Sequence, residues 1–186
     1  SDVTERVLAE RRQKLLMNEL NHRVKNTLAT VFSIATRTLR EAASLPVANE
    51  KLRDRIIALS RAQDVLTRES WDGADMRTMV VAAISAHGDA GGGGRFVLDG
   101  PPVQLGPRAV MSLSLAVHEL STNAAKYGAL STEEGRISVR WQVEDRNNTP
   151  TLRFRWTGTG GPPVLPPQRR GFGSTLIERG LVMELG

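Results

Sequence analysis

The feature that most constrains the fold is a stretch of about 40 residues, from Thr4 to about Ala43, without glycine or proline. Apolar residues recur along it at spacings of mostly three and four, at Leu8, Leu15, Leu16, Leu20, Val24, Leu28, Val31, Ala35 and Leu39. This spacing predicts one amphipathic helix, about 60 Å long at a rise of about 1.5 Å per residue. A helix of this length is too long to stand alone, so its apolar stripe needs a partner.

A second helical pattern begins after a break at residues 44–46 and ends near residues 71–73. One of its sides is formed by Leu52, Ile56, Leu59, Gln63 and Leu66. Two consecutive amphipathic helices with a short connection predict an antiparallel hairpin. Because one hairpin cannot bury both stripes well, we expect a homodimer that forms a four-helix bundle, with a monomer as the alternative.

From about Ala74 the pattern changes to shorter elements. We predict a helix over 75–87, short strands in RFVLDG and PVQLG, a helix from Pro107 to about Tyr127, strands in RISVRWQVED and TLRFRWTG around an RNNTP turn, and a last helix in TLIERGLVMEL. Helices with an antiparallel sheet predict an α+β fold. We expect a two-helix hairpin over 1–73, followed by a two-layer α/β sandwich over 74–186.

Composition narrows the class of protein. The formal charge of +5 favours anionic partners, and the absence of cysteine excludes disulfides and thiolate metal sites. There is no run of about 18 apolar residues and no signal-peptide pattern, so we expect a cytoplasmic protein. Nucleic acid is not an expected partner, because the sequence lacks aromatic platforms and a recognition-helix motif. The chain opens within a helical pattern and stops at LVMELG, which suggests a piece of a longer protein.

The stretch NELNHRVKN places His22 roughly opposite the stripe of Val24, Leu28 and Val31 on the predicted helix. An exposed imidazole has a ring nitrogen that can act as a nucleophile at neutral pH. The alternative is a solvated histidine without a role. A metal site here is disfavoured, since no His, Asp or Glu lies four residues away.

The stretch LAVHELSTNAAKYGALS places Glu119, Asn123 and Lys126 on one face of a helix. A carboxylate and a carboxamide one turn apart suit Mg²⁺, which also relies on water and substrate phosphates. The side chain of Lys126 can reach those phosphates and interact with them through its positive charge. The alternative is an ordinary polar face. His118 and His87 have weaker claims to a function, because each is more often structural.

The stretch GTGGPPVLPPQRRGFGS contains glycines that let a backbone approach a ligand closely. Gly171 and Gly173 precede a predicted helix and can present N–H groups to phosphate. Arg169 and Arg170 add cationic donors next to them. The alternative is a flexible surface loop.

Together, and in this order, these segments resemble the transmitter region of bacterial two-component sensor histidine kinases, specifically the HWE subfamily. The motifs are LNHRVKN with His22, HELSTNAAKYGAL with His118, WTGTGGPPV with Trp156, and RRGFGSTLIER. The resemblance covers nearly the whole chain, from about Glu19 to Glu184.

The resemblance implies a dimerisation and phosphotransfer hairpin followed by a Bergerat-type ATP-binding domain. His22 is then the phosphoacceptor, and its phosphoryl group passes to an aspartate of a response regulator, with Arg23 and Lys25 helping to hold it. Asn123 is expected to bind Mg²⁺, with Glu119 as a further ligand or as a base. The resemblance places the remaining ATP-binding residues at Lys126 and Tyr127 on the phosphate side and in the lid region at Gly160, Gly161, Arg170, Gly171 and Gly173.

The chain departs from the family pattern at two places. Gly158 stands where the WxE motif has an acid, at the position that contacts adenine in the wider superfamily. The family also continues past the last glycine, so we expect an ATP-binding domain truncated at its C-terminus and a sensor domain absent from this chain. These departures leave an alternative function, a non-catalytic phosphotransfer or docking module with a degenerate ATP-binding domain.

Overall fold

The computed structural model describes residues 2–69, 72–87, 94–146 and 148–163. Two long helices come first, α1 (Asp2–Glu41) and α2 (Leu45–Glu69), as the apolar spacing predicts. The predicted break at residues 44–46 is too long, because α2 already starts at Leu45. Pro46 lies in its first turn, where a proline is tolerated because the missing N–H has no intrahelical partner.

The chain divides into two compact units, Ser1–Ile56 and Ile57–Gly186. In the first unit α1 buries Ile34 and Thr38, and α2 buries Ala48 and Arg55. The Arg55 guanidinium donates a hydrogen bond of 2.7 Å to the Thr38 hydroxyl, which donates one of 2.6 Å to the carbonyl of Ile34. This buried polar contact joins the C-terminal end of α1 to the middle of α2.

The apolar stripe predicted on α1 is mostly exposed. Leu20 is 53% exposed and Leu28 is 62% exposed, while Val31 and Ala35 of the same stripe are partly buried. The side of α1 that packs in this unit is therefore the neighbouring side, around Ile34 and Thr38. The exposed stripe is thus left unpartnered within the described part of one chain, and its burial by a second copy stays a prediction.

The second unit contains α3 (Met76–Ile84), α4 (Pro107–Tyr127) and a 3-10 turn (Ala129–Ser131). Its strands are β1 (Ala74–Asp75), β2 (Phe96–Asp99), β3 (Gln104–Leu105), β4 (Arg136–Arg146) and β5 (Thr149–Thr159). The bounds of α4 are those predicted. Helix α3 is shorter than the predicted 75–87, and the pairing of β1 with β3 was not predicted. The predicted helix TLIERGLVMEL lies outside the described residues.

The larger sheet has the order β2-β4-β5 and is mixed, so the expectation of an antiparallel sheet is wrong. Strand β2 runs parallel to β4, with Phe96 opposite Ile137, whereas β4 and β5 form an antiparallel hairpin. The parallel pair follows from the connection, because a long crossover that contains α4 separates β2 from β4. The hairpin turns at Asn148, whose φ of 61° is a conformation that asparagine tolerates.

The main core combines side chains of α3, α4 and the larger sheet with the end of α2. It contains Ala62, Val65 and Leu66 of α2 and, from the rest of the unit, Met76, Met79, Val80, Ile84, Phe96, Leu105, Val110, Leu113, Val117, Ile137, Val139 and Trp141. The described residues thus form an α+β fold. The domain limits 1–73 and 74–186 stay a prediction, since the division into compact units falls inside α2. None of the helices in the described ranges is both long and apolar enough to cross a bilayer.

Candidate functional site

Helix α4 is held by its apolar side and presents a polar side. Val110, Leu113 and Val117 are buried in the core. Pro107 opens the helix after Gly106, and the N–H of Gly128 closes it with a bond of 3.1 Å to the carbonyl of Ala124. Both ends are therefore fixed, as suits a helix that positions functional side chains.

Four of the predicted site residues lie on α4, at its C-terminal half. Glu119 is half-buried, whereas Asn123 and Lys126 are exposed and Tyr127 is 69% exposed. The carboxamide of Asn123 and the hydroxyl of Tyr127 make no hydrogen bond within the part of the chain that the structure describes. This side of α4 therefore carries a carboxylate, a carboxamide and an ammonium group.

The end of β5 lies directly against the segment that follows α4. A Cβ added to Gly161 would be 2.6 Å from the Cα of Ala129 and 2.9 Å from the carbonyl carbon of Gly128. Only glycine fits so close to another backbone. Gly160 has a φ of 73°, which glycine also adopts at low cost. The fold thus brings the predicted Gly160 and Gly161 to the end of the helix that carries Lys126 and Tyr127.

Two residues that sequence reasoning missed hold this junction together. The hydroxyl of Thr132 donates to the carbonyl of Gly160 at 2.8 Å and lies 3.2 Å from the carbonyl of Ala129. The guanidinium of Arg95 donates to the carbonyl of Gly135 at 3.1 Å and to the carbonyl of Thr132. Neither residue stands in a motif, and their partners are distant in sequence, so no local signal identifies them.

Gly158 lies in β5 opposite Ile137 of β4. A Cβ at this position would be 3.1 Å from the Cβ of Ala129 and 3.5 Å from the Cδ1 of Ile137. The position where the family pattern has an acid therefore adjoins the turn after α4, and a side chain there has little room.

His118 lies on a packed side of α4, and His87, which follows α3, lies next to it. Their ring centroids are 5.7 Å apart, and His118 is only 8% exposed. The hydroxyl of Thr122 is 3.4 Å from Nε2 of His87. The pair joins the end of α3 to α4, in agreement with the structural role that the sequence favours for each.

His22 is exposed on α1, in the first unit, as the helical spacing predicts. Its neighbour Arg23 forms an ion pair of 2.9 Å with Glu19, one turn earlier. Lys25 is exposed. The imidazole is therefore accessible from solvent, and the guanidinium of Arg23 has a carboxylate partner.

The remaining site predictions cannot be placed. Arg169, Arg170, Gly171 and Gly173 lie outside the described residues. Within the described ranges, no three His, Asp or Glu side chains come together as a metal-binding group. A site formed by Asn123 and Glu119 would need ligands from a substrate and from water.

Comparison with known proteins identifies the class. Two curated relatives, both named blue-light-activated histidine kinase, come from Brucella anthropi and Brucella ovis. They are 42% and 40% identical to this chain over 184 residues, or 99% of its length. The chain spans 37% of the length of each relative. It is thus similar to histidine kinases over nearly its whole extent.

A family model gives a narrower match within the histidine kinases. Residues 19–102 match the family model described as HWE histidine kinase. That segment contains His22 and the first of the four motifs, LNHRVKN, and its match agrees with the resemblance to the HWE subfamily that the sequence indicates.

Proposed function

We propose that this chain is the transmitter part of a two-component sensor histidine kinase. It transfers the γ-phosphoryl group of ATP to His22, and the group then passes to an aspartate of a response regulator. The observation that carries the nucleotide site is the close packing of Gly161 against Gly128 and Ala129. This packing brings the glycine segment that follows Trp156 next to the C-terminal end of α4, which carries Lys126 and Tyr127.

The polar side of α4 supports a nucleotide phosphate site there. Phosphoryl transfer depends chiefly on positioning and on neutralising negative charge. Lys126 supplies a positive charge, and Tyr127 supplies a hydroxyl with no partner among the described residues. Gly160 and Gly161 pack closely against neighbouring backbone, which fixes the start of the glycine segment beside this end of α4. By the family resemblance, Arg170, Gly171 and Gly173 complete the lid.

The donor set on α4 fits Mg²⁺. Asn123 offers a carboxamide oxygen that has no hydrogen-bond partner among the described residues, and Glu119 offers a carboxylate one turn earlier. Both are hard oxygen ligands of the kind that Mg²⁺ prefers. Bound there with the nucleotide, the ion would neutralise phosphate charge. Glu119 lies on the same side of the helix as Asn123 and is also the candidate for the base.

His22 suits the nucleophile because its ring is exposed. A ring nitrogen attacks the γ-phosphorus, a nitrogen–phosphorus bond forms, and the bond to the bridging oxygen of ADP breaks. A carboxylate of the response regulator then attacks the same phosphorus and releases the imidazole. By the family resemblance, a sensor domain outside this chain controls these steps.

The exposed stripe on α1 supports a homodimer. Leu20, Val24 and Leu28, with the neighbouring Phe32, expose large apolar side chains in a single chain. Burying such a stripe against a second copy removes it from water and completes a four-helix bundle. A monomer remains the alternative.

The first experiment titrates the full chain with Mg-ATP and follows acid-labile, base-stable label on the protein. His22→Ala is expected to abolish the label while nucleotide affinity stays nearly unchanged. Asn18→Ala, one turn earlier on the same exposed side, is the matched control and should keep the label. Equal label on the His22→Ala protein would remove this histidine from the mechanism.

The second candidate is a phosphotransfer or docking module with a degenerate ATP-binding domain. This function is favoured by Gly158, because glycine supplies no carboxylate to contact adenine and the position has little room for a side chain. Calorimetric titration with Mg-ATP separates the two functions. Binding without label would indicate a scaffold, whereas absence of binding would indicate a module that receives its phosphoryl group from another protein.

A further inference from the structure

The outward face of the β4–β5 hairpin is rich in arginine. In the strand register one face carries Ile137, Val139 and Trp141, which are buried, and the other face is exposed. We call the exposed face the arginine face, and its five arginines are Arg136, Arg140, Arg146, Arg153 and Arg155. A solvated sheet face normally mixes both signs of charge, so this excess of one sign is unusual.

The carboxylates on this face neutralise only part of its charge. Asp99 of β2 lies 3.7 Å from Arg140. Glu144 lies 3.1 Å from Arg153 and 3.9 Å from Arg146. Arg155 forms no ion pair or hydrogen bond within the described residues. The face therefore has a surplus of guanidinium groups, with Arg155 at its centre.

Arg155 lies directly opposite Arg140 across the hairpin. Like charges at directly opposed positions destabilise a strand pair. An exposed strand position does not require arginine, since threonine also suits such a position. An anionic partner that pairs with both groups would remove the repulsion.

The same residues border a depression in the surface. A cavity of about 470 Å³ is lined by three arginines and one carboxylate, together with Gly100, Pro101, Trp141 and Gln142; the charged residues are Arg140, Arg153, Arg155 and Asp99. The wall formed by Gly100 and Pro101 is fixed in place. The indole of Trp141 donates a bond of 2.8 Å to the carbonyl of Pro101, and a Cβ on Gly100 would overlap the Trp141 ring at 2.4 Å.

We propose that the arginine face is a docking surface for an acidic protein segment. Guanidinium forks match carboxylates bidentately. Arg153 and Arg155 are two residues apart on one strand, a separation of about 7 Å. An extended segment with acidic residues at every second position repeats its carboxylates at the same distance.

Other anions fit this face less well. The one aromatic residue that lines the depression, Trp141, is only 4% exposed, so it offers no platform on which nucleic-acid bases could stack. The interspersed carboxylates of Asp99 and Glu144 repel a dense phosphate charge but leave room for single carboxylates. The surface shares no residue with the proposed phosphotransfer site, so this inference goes beyond the proposed function and does not depend on it.

The test measures binding of a fluorescent peptide to the full chain by anisotropy at low salt. The peptide is about twelve residues long with glutamate at every second position, and a glutamine version is its control. The double variant Arg153→Gln/Arg155→Gln should bind the glutamate peptide about fivefold to tenfold more weakly. Arg11→Gln/Arg12→Gln, on exposed positions of α1, removes the same charge and should bind like the unaltered chain.

Three results would overturn the proposal. Equal weakening in both double variants would mean attraction by net charge alone. Equal binding of the two peptides would exclude carboxylate recognition. Pyrophosphate that binds more tightly than the peptide, and loses affinity in the Arg153→Gln/Arg155→Gln chain, would assign the face to phosphates. Arg155→Lys, which keeps the charge but loses the fork, should show a partial loss and serves if the double variant does not fold by circular dichroism.

Discussion

Asn123 is exposed, and its carboxamide makes no hydrogen bond with any described residue. Its oxygen is therefore available to bind a metal ion together with a substrate. On the proposed function, Asn123→Ala should lower the affinity for ATP about tenfold in the presence of Mg²⁺, because one oxygen ligand is lost. The difference should shrink when EDTA replaces the metal. Calorimetric titration in the two conditions measures both affinities. Asn26→Ala, an exposed amide on α1, is the control, and an unaltered Mg²⁺ dependence in Asn123→Ala would contradict the metal assignment.

Thr132 has a different kind of role, since it positions the backbone of Gly160 through its hydroxyl. Thr132→Val keeps the shape but removes this bond, and it should lower the free energy of unfolding by about 1 kcal/mol. Thr132→Ser keeps the hydroxyl and should stay close to the unaltered chain. Urea unfolding followed by Trp fluorescence measures the change. If both variants are equally stable, the hydroxyl does not hold the junction.

Sequence motifs identify functional residues that lie close together in the sequence. They do not identify residues whose contacts are distant in the sequence. Glu119, Asn123 and Lys126 were found because their spacing fixes one side of a helix. Arg95 was missed because its partners, at Gly135 and Thr132, are brought near only by the crossover between β2 and β4. Such contacts depend on tertiary structure, which no local pattern records.

At the scale of the elements, proline and glycine at helix ends and the alternation of apolar and polar residues in strands predicted the boundaries well. Pro107 and Gly128 bracket α4, and alternating side chains mark β4 and β5. Strands β1 and β3 have two residues each, too short for any periodicity, so their pairing could not be read from the sequence. The parallel pairing of β2 was missed because alternation defines a strand but not its direction.

The helical pair of the first unit depends on a contact that apolar periodicity does not show. Thr38 accepts a hydrogen bond from Arg55, and both side chains are nearly fully buried. Thr38→Val should leave the guanidinium short of one acceptor and destabilise the unit by about 1 to 3 kcal/mol. Thr30 also bonds to the carbonyl four residues earlier, but lies in a more exposed place, so Thr30→Val is the control. Thermal unfolding followed by far-UV circular dichroism compares them, and equal midpoints would show that the buried contact contributes no stability.

At the scale of the whole molecule, the exposed apolar stripe of α1 determines how many chains assemble, because a second copy can cover it. Leu28 is 62% exposed and Phe32 is 74% exposed, on a helix whose packed side is occupied by Ile34 and Thr38. If two copies pair through this stripe, Leu28→Asp places a charge in the apolar contact and should shift the chain from dimer to monomer, because a buried unpaired charge is strongly unfavourable. Ala29→Asp, on a neighbouring exposed position that faces the same side of the helix as His22, adds the same charge outside the stripe and should remain dimeric. Sedimentation equilibrium over a range of concentrations measures the mass of each. A monomeric unaltered chain at all concentrations would instead leave the stripe to another occupant, and the phosphotransfer would then proceed within one chain.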